Sequence, residues 1–122
     1  AMENLRRLVA SKATLLKKAL VTDSLPITEH ADRIEFGWFR PTDDQVEVAA
    51  YYQLVQGLCE LARTQKRVSA TEQEVENDKY AFRCFLLKLR FIGREYKDSR
   101  RVLLRHLSGN ASYAKPKEGD EE

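Results

Sequence analysis

The sequence predicts an α+β fold, mainly α, with about four helices and one small β-hairpin between the first and second. Three observations lead there. Apolar residues recur three and four apart over most of the chain, which is helical spacing. Between residues 25 and 39 the period changes to two, with Ile34, Phe36 and Trp38 alternating with Arg33, Glu35 and Gly37. A hydrophobic share of 43% beside a charged share of 33% suits a globular, helix-rich chain rather than a disordered one.

At 122 residues the chain is long enough to bury a core without disulfides or metal. Residues 2–107 read as a single helical domain and residues 108–122 as a flexible polar tail, with Ala1 set aside. The first helix is expected over 3–21, where Leu5, Leu8, Val9, Leu15, Leu16, Ala19 and Leu20 line one side and Lys12 sits in a gap. Pro26 stops it. The hairpin follows near 25–39, with Leu25, Ile27 and Glu29 as a shorter partner strand and a turn around His30-Ala31-Asp32. A lone hairpin is marginal and must pack on a helix. Trp38 or Phe39 is expected to make that contact.

Pro41-Thr42-Asp43-Asp44-Gln45 signals the second helix, with Thr42 as N-cap and Gln45 completing a capping box. It should run to about Arg67, with Val48, Tyr52, Val55, Cys59 and Ala62 as its stripe, widened by Leu54, Leu58 and Leu61. A close helix crossing would explain Gly57 in its interior. Ser69 to Glu72 repeats the capping pattern, so a short break near Val68 leads to a third helix over about 70–92 and makes the two antiparallel neighbours. Gly93 is the expected C-cap. A fourth helix covers about 95–107.

The residues exclude several classes of chemistry. Cys59 and Cys84 stand alone in apolar stretches and read as buried thiols of a reducing cytoplasm, and the spacings of metal ligands are absent. No serine lies in a nucleophile elbow and no glycine-rich phosphate loop follows a strand. His30 and His106 lack a partner at a recognisable spacing. Glu72, Glu74, Glu76 and Asp78 are two apart, so a helix would point them in different directions. No catalytic residue, cofactor or metal site is expected. No secretory signal is expected, since Arg6, Arg7, Lys12, Lys17 and Lys18 interrupt the early apolar runs, and no apolar run approaches the roughly 20 residues that span a membrane.

Binding remains. Net charge is only +2, but residues 79–105 carry nine Lys and Arg against two acids, a local +7, and residues 69–78 carry −4. One continuous helix would stack Arg90, Arg94, Lys97, Arg101 and Arg105 in a stripe able to meet phosphates. Phe82, Phe85, Phe91 and Tyr96 fit the apolar side, which argues against a stacking platform for single strands. The alternative is a protein–protein adaptor or homodimer with these cations as a solvated rim, the −4 and +7 blocks of two copies permitting association.

The run EVENDKYAFRCFLLKLRFIGREYKDSRRVLLRHLSGNASY and the opening MENLRRLVASKATLLKKAL resemble small uncharacterised proteins of conjugative or phage-like elements in gut Firmicutes, some labelled virulence-related. The resemblance covers most of the chain. It implies a non-enzymatic, cytoplasmic accessory protein of a bacterial mobile element and gives no residue a role.

Overall fold

The structure, a computed structural model, describes residues 2–109. Along the chain come α1 (Met2–Ser11), α2 (Ala13–Leu20), β1 (Ile27–Glu29), β2 (Ile34–Phe36), α3 (Gln45–Thr64), α4 (Asp78–Lys88), a 3-10 turn (Arg94–Tyr96) and α5 (Lys97–Leu104). The fold is mainly helical with a two-stranded antiparallel sheet, as expected, but the described residues form five α-helices rather than four. None of them is long and apolar enough to cross a membrane.

The expected first helix is two. Ser11 Oγ donates to the Leu8 carbonyl (2.7 Å), the acceptor that Lys12 N would use in a continuing helix. Lys12 N turns to the Val9 carbonyl instead (3.1 Å), and Lys12 leaves the helical region at φ −124°, ψ 18°. The second segment is capped from a distance. The Glu72 carboxylate accepts from Thr14 N (2.8 Å) and Thr14 Oγ1 (3.0 Å). At the other end of α2, Thr22 N donates to Lys17 O (3.0 Å) and Val21 N to Lys18 O (3.4 Å). This Schellman closure holds Val21 at φ 54°, a conformation that favours glycine.

The sheet pairs Ile27 with Phe36, Thr28 with Glu35 and Glu29 with Ile34. Trp38 follows it, is 2% exposed, and donates Nε1–H to the Pro26 carbonyl (2.9 Å). Phe36 meets the Trp38 ring edge-on, and Phe39 stacks on Tyr51 of α3 at 4.7 Å. Phe39 therefore docks the hairpin on α3, and Trp38 is buried in the core beside it.

The cap of α3 is Asp44, not Thr42. Asp44 Oδ1 accepts from Val46 N (2.9 Å) and Glu47 N (3.4 Å). The core stripe is also rotated from the expected one. Ala50, Leu54, Leu58 and Ala62 are buried, whereas Val48 and Tyr52 are 45% and 64% exposed. Alanine at both ends lets neighbouring helices approach where tyrosine would hold them off. α3 packs chiefly on α5 and α1. α5 runs antiparallel to it, since Ser99 Oγ meets Gln53 Oε1 (2.5 Å) and Arg105 meets Glu47 (2.6 Å). Asn4 of α1 closes the far end, its Nδ2 donating to the carbonyls of Ala62 (3.3 Å) and Gln65 (2.9 Å).

The Ser69–Glu72 pattern starts no helix, and residues 65–77 join α3 to α4 without one. Ser69 Oγ accepts from Thr71 N two residues on (3.1 Å), a local turn, and Glu72 serves α2. Asn77, 2% exposed, is the true cap of α4, with Oδ1 accepting from Tyr80 N (3.0 Å). α4 ends before Gly93. Phe91 N donates to Leu86 O (3.0 Å) and Arg90 N to Leu87 O (3.0 Å), with Arg90 at φ 73°. Gly93, at φ 96° and ψ 175°, opens the 3-10 turn in a region that glycine alone occupies readily. Of the expected tail, Ser108 accepts from Lys79 N (2.9 Å) and Gly109 lies against Asn77. Residues 110–122 lie outside the described residues.

Two substitutions test this packing. A left-handed non-glycine residue costs about 1–2 kcal/mol, and glycine's greater freedom when unfolded returns about 0.5–1. Val21→Gly should therefore raise the urea-unfolding free energy by about 0.5–1 kcal/mol. Gly57→Ala should do the opposite, because the added Cβ would stand 2.9 Å from Leu89 Cβ and 3.2 Å from its carbonyl oxygen. Overpacking of about 1–3 kcal/mol outweighs a helix-propensity gain of at most about 1. The same titration should show a net loss of up to about 2 kcal/mol.

Candidate nucleic-acid interface

The basic segment folds around a sharp turn. After Arg90 the chain reverses through Phe91 and Gly93, and Arg100 fastens the reversal. Its Nη1 donates to the carbonyls of Phe91 (3.0 Å) and Gly93 (3.1 Å). The Phe91 and Tyr96 rings meet at 5.2 Å across the turn. α5 then buries Ser99, Val102, Leu103 and Leu104 and leaves Lys97, Asp98, Arg101 and Arg105 outside. Helical spacing puts Lys97, Arg101 and Arg105 in one row, and the 3-10 turn delivers Arg94 at its head.

The five predicted residues are all exposed but are not one stripe. Arg90 sits on the left-handed turn after α4 and leaves the row. Arg94 and Lys97 make no ion pair among the described residues. Arg101 has a loose one, 3.8 Å from Asp98, with both side chains more than 60% exposed. Such a pair contributes little and yields readily to a competing anion. Arg105 differs. Its Nη2 donates to Glu47 Oε2 at 2.6 Å, and Thr42 Oγ1 donates to the other Glu47 oxygen at 2.6 Å. The Thr42 hydrogen bond and then Arg105 hold the Glu47 carboxyl below its usual 4.5. Arg105 is thus a clamp between α5 and α3.

The acidic run does not oppose these cations. Glu72 caps α2, and Asp78 pairs with Lys18 at 2.8 Å. Two of the four acids of that run are thus used against α2, while Glu95 and Asp98 stand exposed among Arg94, Lys97 and Arg101.

Little else converges. His30 Nε2 lies 2.9 Å from Glu35 Oε1 on the exposed hairpin. His106 borders a cleft of about 350 Å³ with Arg40, Tyr51 and the Glu47–Arg105 pair. Among the described residues no group of three or more His, Cys, Asp or Glu could hold a metal ion. The thiols depart from expectation, since Cys84 is exposed and Cys59 only half-buried. Burial pushes the Cys59 thiol up from its usual 9.0. The Thr42–Glu47–Arg105 network had no local signal, because 58 residues separate Arg105 from Glu47. Comparison with family models, with curated proteins and with solved structures finds no match to this chain.

The clamp has a pH signature. A carboxyl held low in the folded state stabilises above its unfolded value, and that stability is lost as pH falls through the folded one. Glu47→Gln should be less stable than the parent at pH 7. The two should converge as pH drops well below 4.5, read as urea midpoints at each pH. A constant difference down to pH 2 would assign the loss to packing.

Proposed function

We propose that this chain is a non-enzymatic, cytoplasmic accessory protein of a bacterial mobile element that contacts nucleic-acid phosphates through Arg94, Lys97 and Arg101. Arg90 flanks the site, and Arg105 holds α5 in place behind it. One observation carries the reading. Three exposed cations share one edge of the fold, and their only ion-pair partner among the described residues is Asp98 at 3.8 Å. A cation already paired has little to offer a phosphate, whereas an unpaired one can displace a condensed counterion from the duplex. Side chains on a convex helix meet the sugar–phosphate backbone and supply affinity without reading sequence. The bacterial mobile-element setting rests on the resemblance of the two quoted runs.

A second reading, a protein–protein adaptor or homodimer, has its own support. Val48 and Tyr52 lie one turn apart on α3 and are 45% and 64% exposed, an apolar pair where a helix usually presents polar residues. On that reading the basic residues are a solvated rim.

Fluorescence anisotropy with a random DNA duplex across a salt series separates the two. Three neutralised phosphates predict a log–log slope near −2.7, or roughly a 40-fold loss of affinity between 50 and 200 mM salt. Arg94→Glu with Lys97→Glu should bring the slope close to −1 and leave the urea midpoint nearly unchanged. A duplex that fails to bind at low salt would move the site to the Val48–Tyr52 face, with a concentration-dependent mass in light scattering as its sign.

A further inference from the structure

We infer that the cleft where α1 gives way to α2 binds a small organic dianion, two negative charges carried on a compact apolar body. No residue lining this cleft belongs to α5, so the inference stands apart from the nucleic-acid reading. The cleft, partly open to solvent, offers about 350 Å³ between the α1–α2 junction, the end of α3, the segment after it, and α4. That is near the lower end of the roughly 300–1,000 Å³ of small-molecule sites, which suits a compact ligand.

Its charges do not balance. Lys12, Arg67 and Lys88 line it against one carboxylate, Glu72. Both oxygens of Glu72 are already engaged by Thr14. None of the three cations has an ion pair among the described residues. Lys12 is half-buried, with Nζ 5.4 Å from the centre of the Phe85 ring. Burial, and next the charge of Lys88, push the Lys12 ammonium below its usual 10.5, and the attraction of Glu72 and Cys84 offsets this only in part. An exposed lysine can turn away from a like charge. Lys12 has less freedom to do so, half-buried at a break between two packed helices with its ammonium over the Phe85 ring. A bound dianion supplies the missing countercharge. The two ammonium groups would act on it as point charges, and Arg67 would offer a planar fork that suits phosphate or carboxylate. Val75, which is 43% exposed, and the half-buried Leu61 supply apolar surface for the body.

The folded chain, titrated at constant ionic strength with sodium chloride as the balancing salt, gives the test. Phenyl phosphate and phthalate represent the two sources of such a dianion, inorganic phosphate lacks the body, and benzyl alcohol lacks the charge. At least one of the two aromatic dianions should raise the melting temperature saturably, and their order tells phosphate from dicarboxylate. It should also bind at least tenfold more tightly than inorganic phosphate, and benzyl alcohol should have no effect. Lys12→Met should melt higher than the parent without ligand and should lose at least tenfold in affinity for the dianion. Lys88→Met, on an exposed site, should lose affinity in the same direction. A response matched by chloride, parental affinity in both variants, or a Lys12→Met protein that melts lower without ligand would each overturn the proposal.

Discussion

Short helices have many unpaired ends for their length. Each leaves four N–H groups and four carbonyls without partners inside the helix, and a helix of eight to eleven residues has few internal bonds to offset that cost. Four of the five α-helices here are of that size. Some of these ends are closed locally, α4 by Asn77 and the end of α2 by its own backbone turn, while other helix ends and turns are met by side chains from elsewhere in the chain. Glu72 takes up Thr14 N of α2 across 58 residues, and Asn4 reaches two carbonyls at the end of α3 across 58 and 61. Arg100 collects the carbonyls of the turn between α4 and α5. Helix ends and tertiary structure therefore form together, and the buried stripe of Ala50, Leu54, Leu58 and Ala62 is the surface on which they meet.

That dependence explains what could be read from the residues beforehand. Class, the change of period at the hairpin and its docking through Phe39 were legible, because each follows from local spacing or from the size of an aromatic side chain. Helix limits were not. Ser69-x-x-Glu72 has the form of a capping box, yet its glutamate is drawn away to another helix and its serine closes a local turn. Thr42 looks like a cap, but Asp44 stands two residues nearer the helix and takes the donors. On α3 the apolar set was wide enough to allow two stripes. The alanines decided between them, since close approach of neighbouring helices selects small residues and leaves Tyr52 in water.

The candidate site was legible as composition but not as shape. The spacing 90, 94, 97, 101, 105 is helical only if the backbone is continuous, and two left-handed φ values, at Arg90 and Gly93, interrupt it. The interruption sorts the cations by role. Arg100 turns inward to hold the reversal and Arg105 is drawn into the Glu47 network, so each serves the fold. Arg94, Lys97 and Arg101 are left facing water. Counting charge over the segment overstates what a ligand could meet, because it includes residues that already have partners.

The departures from local preference form a pattern of their own. Val21 and Arg90 occupy positions where glycine is conformationally easier, and Lys12 is half-buried beside another cation. Most positions in a folded chain agree with the global structure, so disagreements point to a competing demand. For Val21 nothing in its surroundings supplies one, as its side chain is 47% exposed. Arg90 keeps a charge beside the basic face where glycine would have none. Lys12 is the sharper case. A methionine would fill the same space over Phe85 without desolvating a charge, so a lysine kept there is at odds with stability alone. The cleft beside it, lined by Arg67 and Lys88 and lacking a free carboxylate, gives that lysine a chemical use.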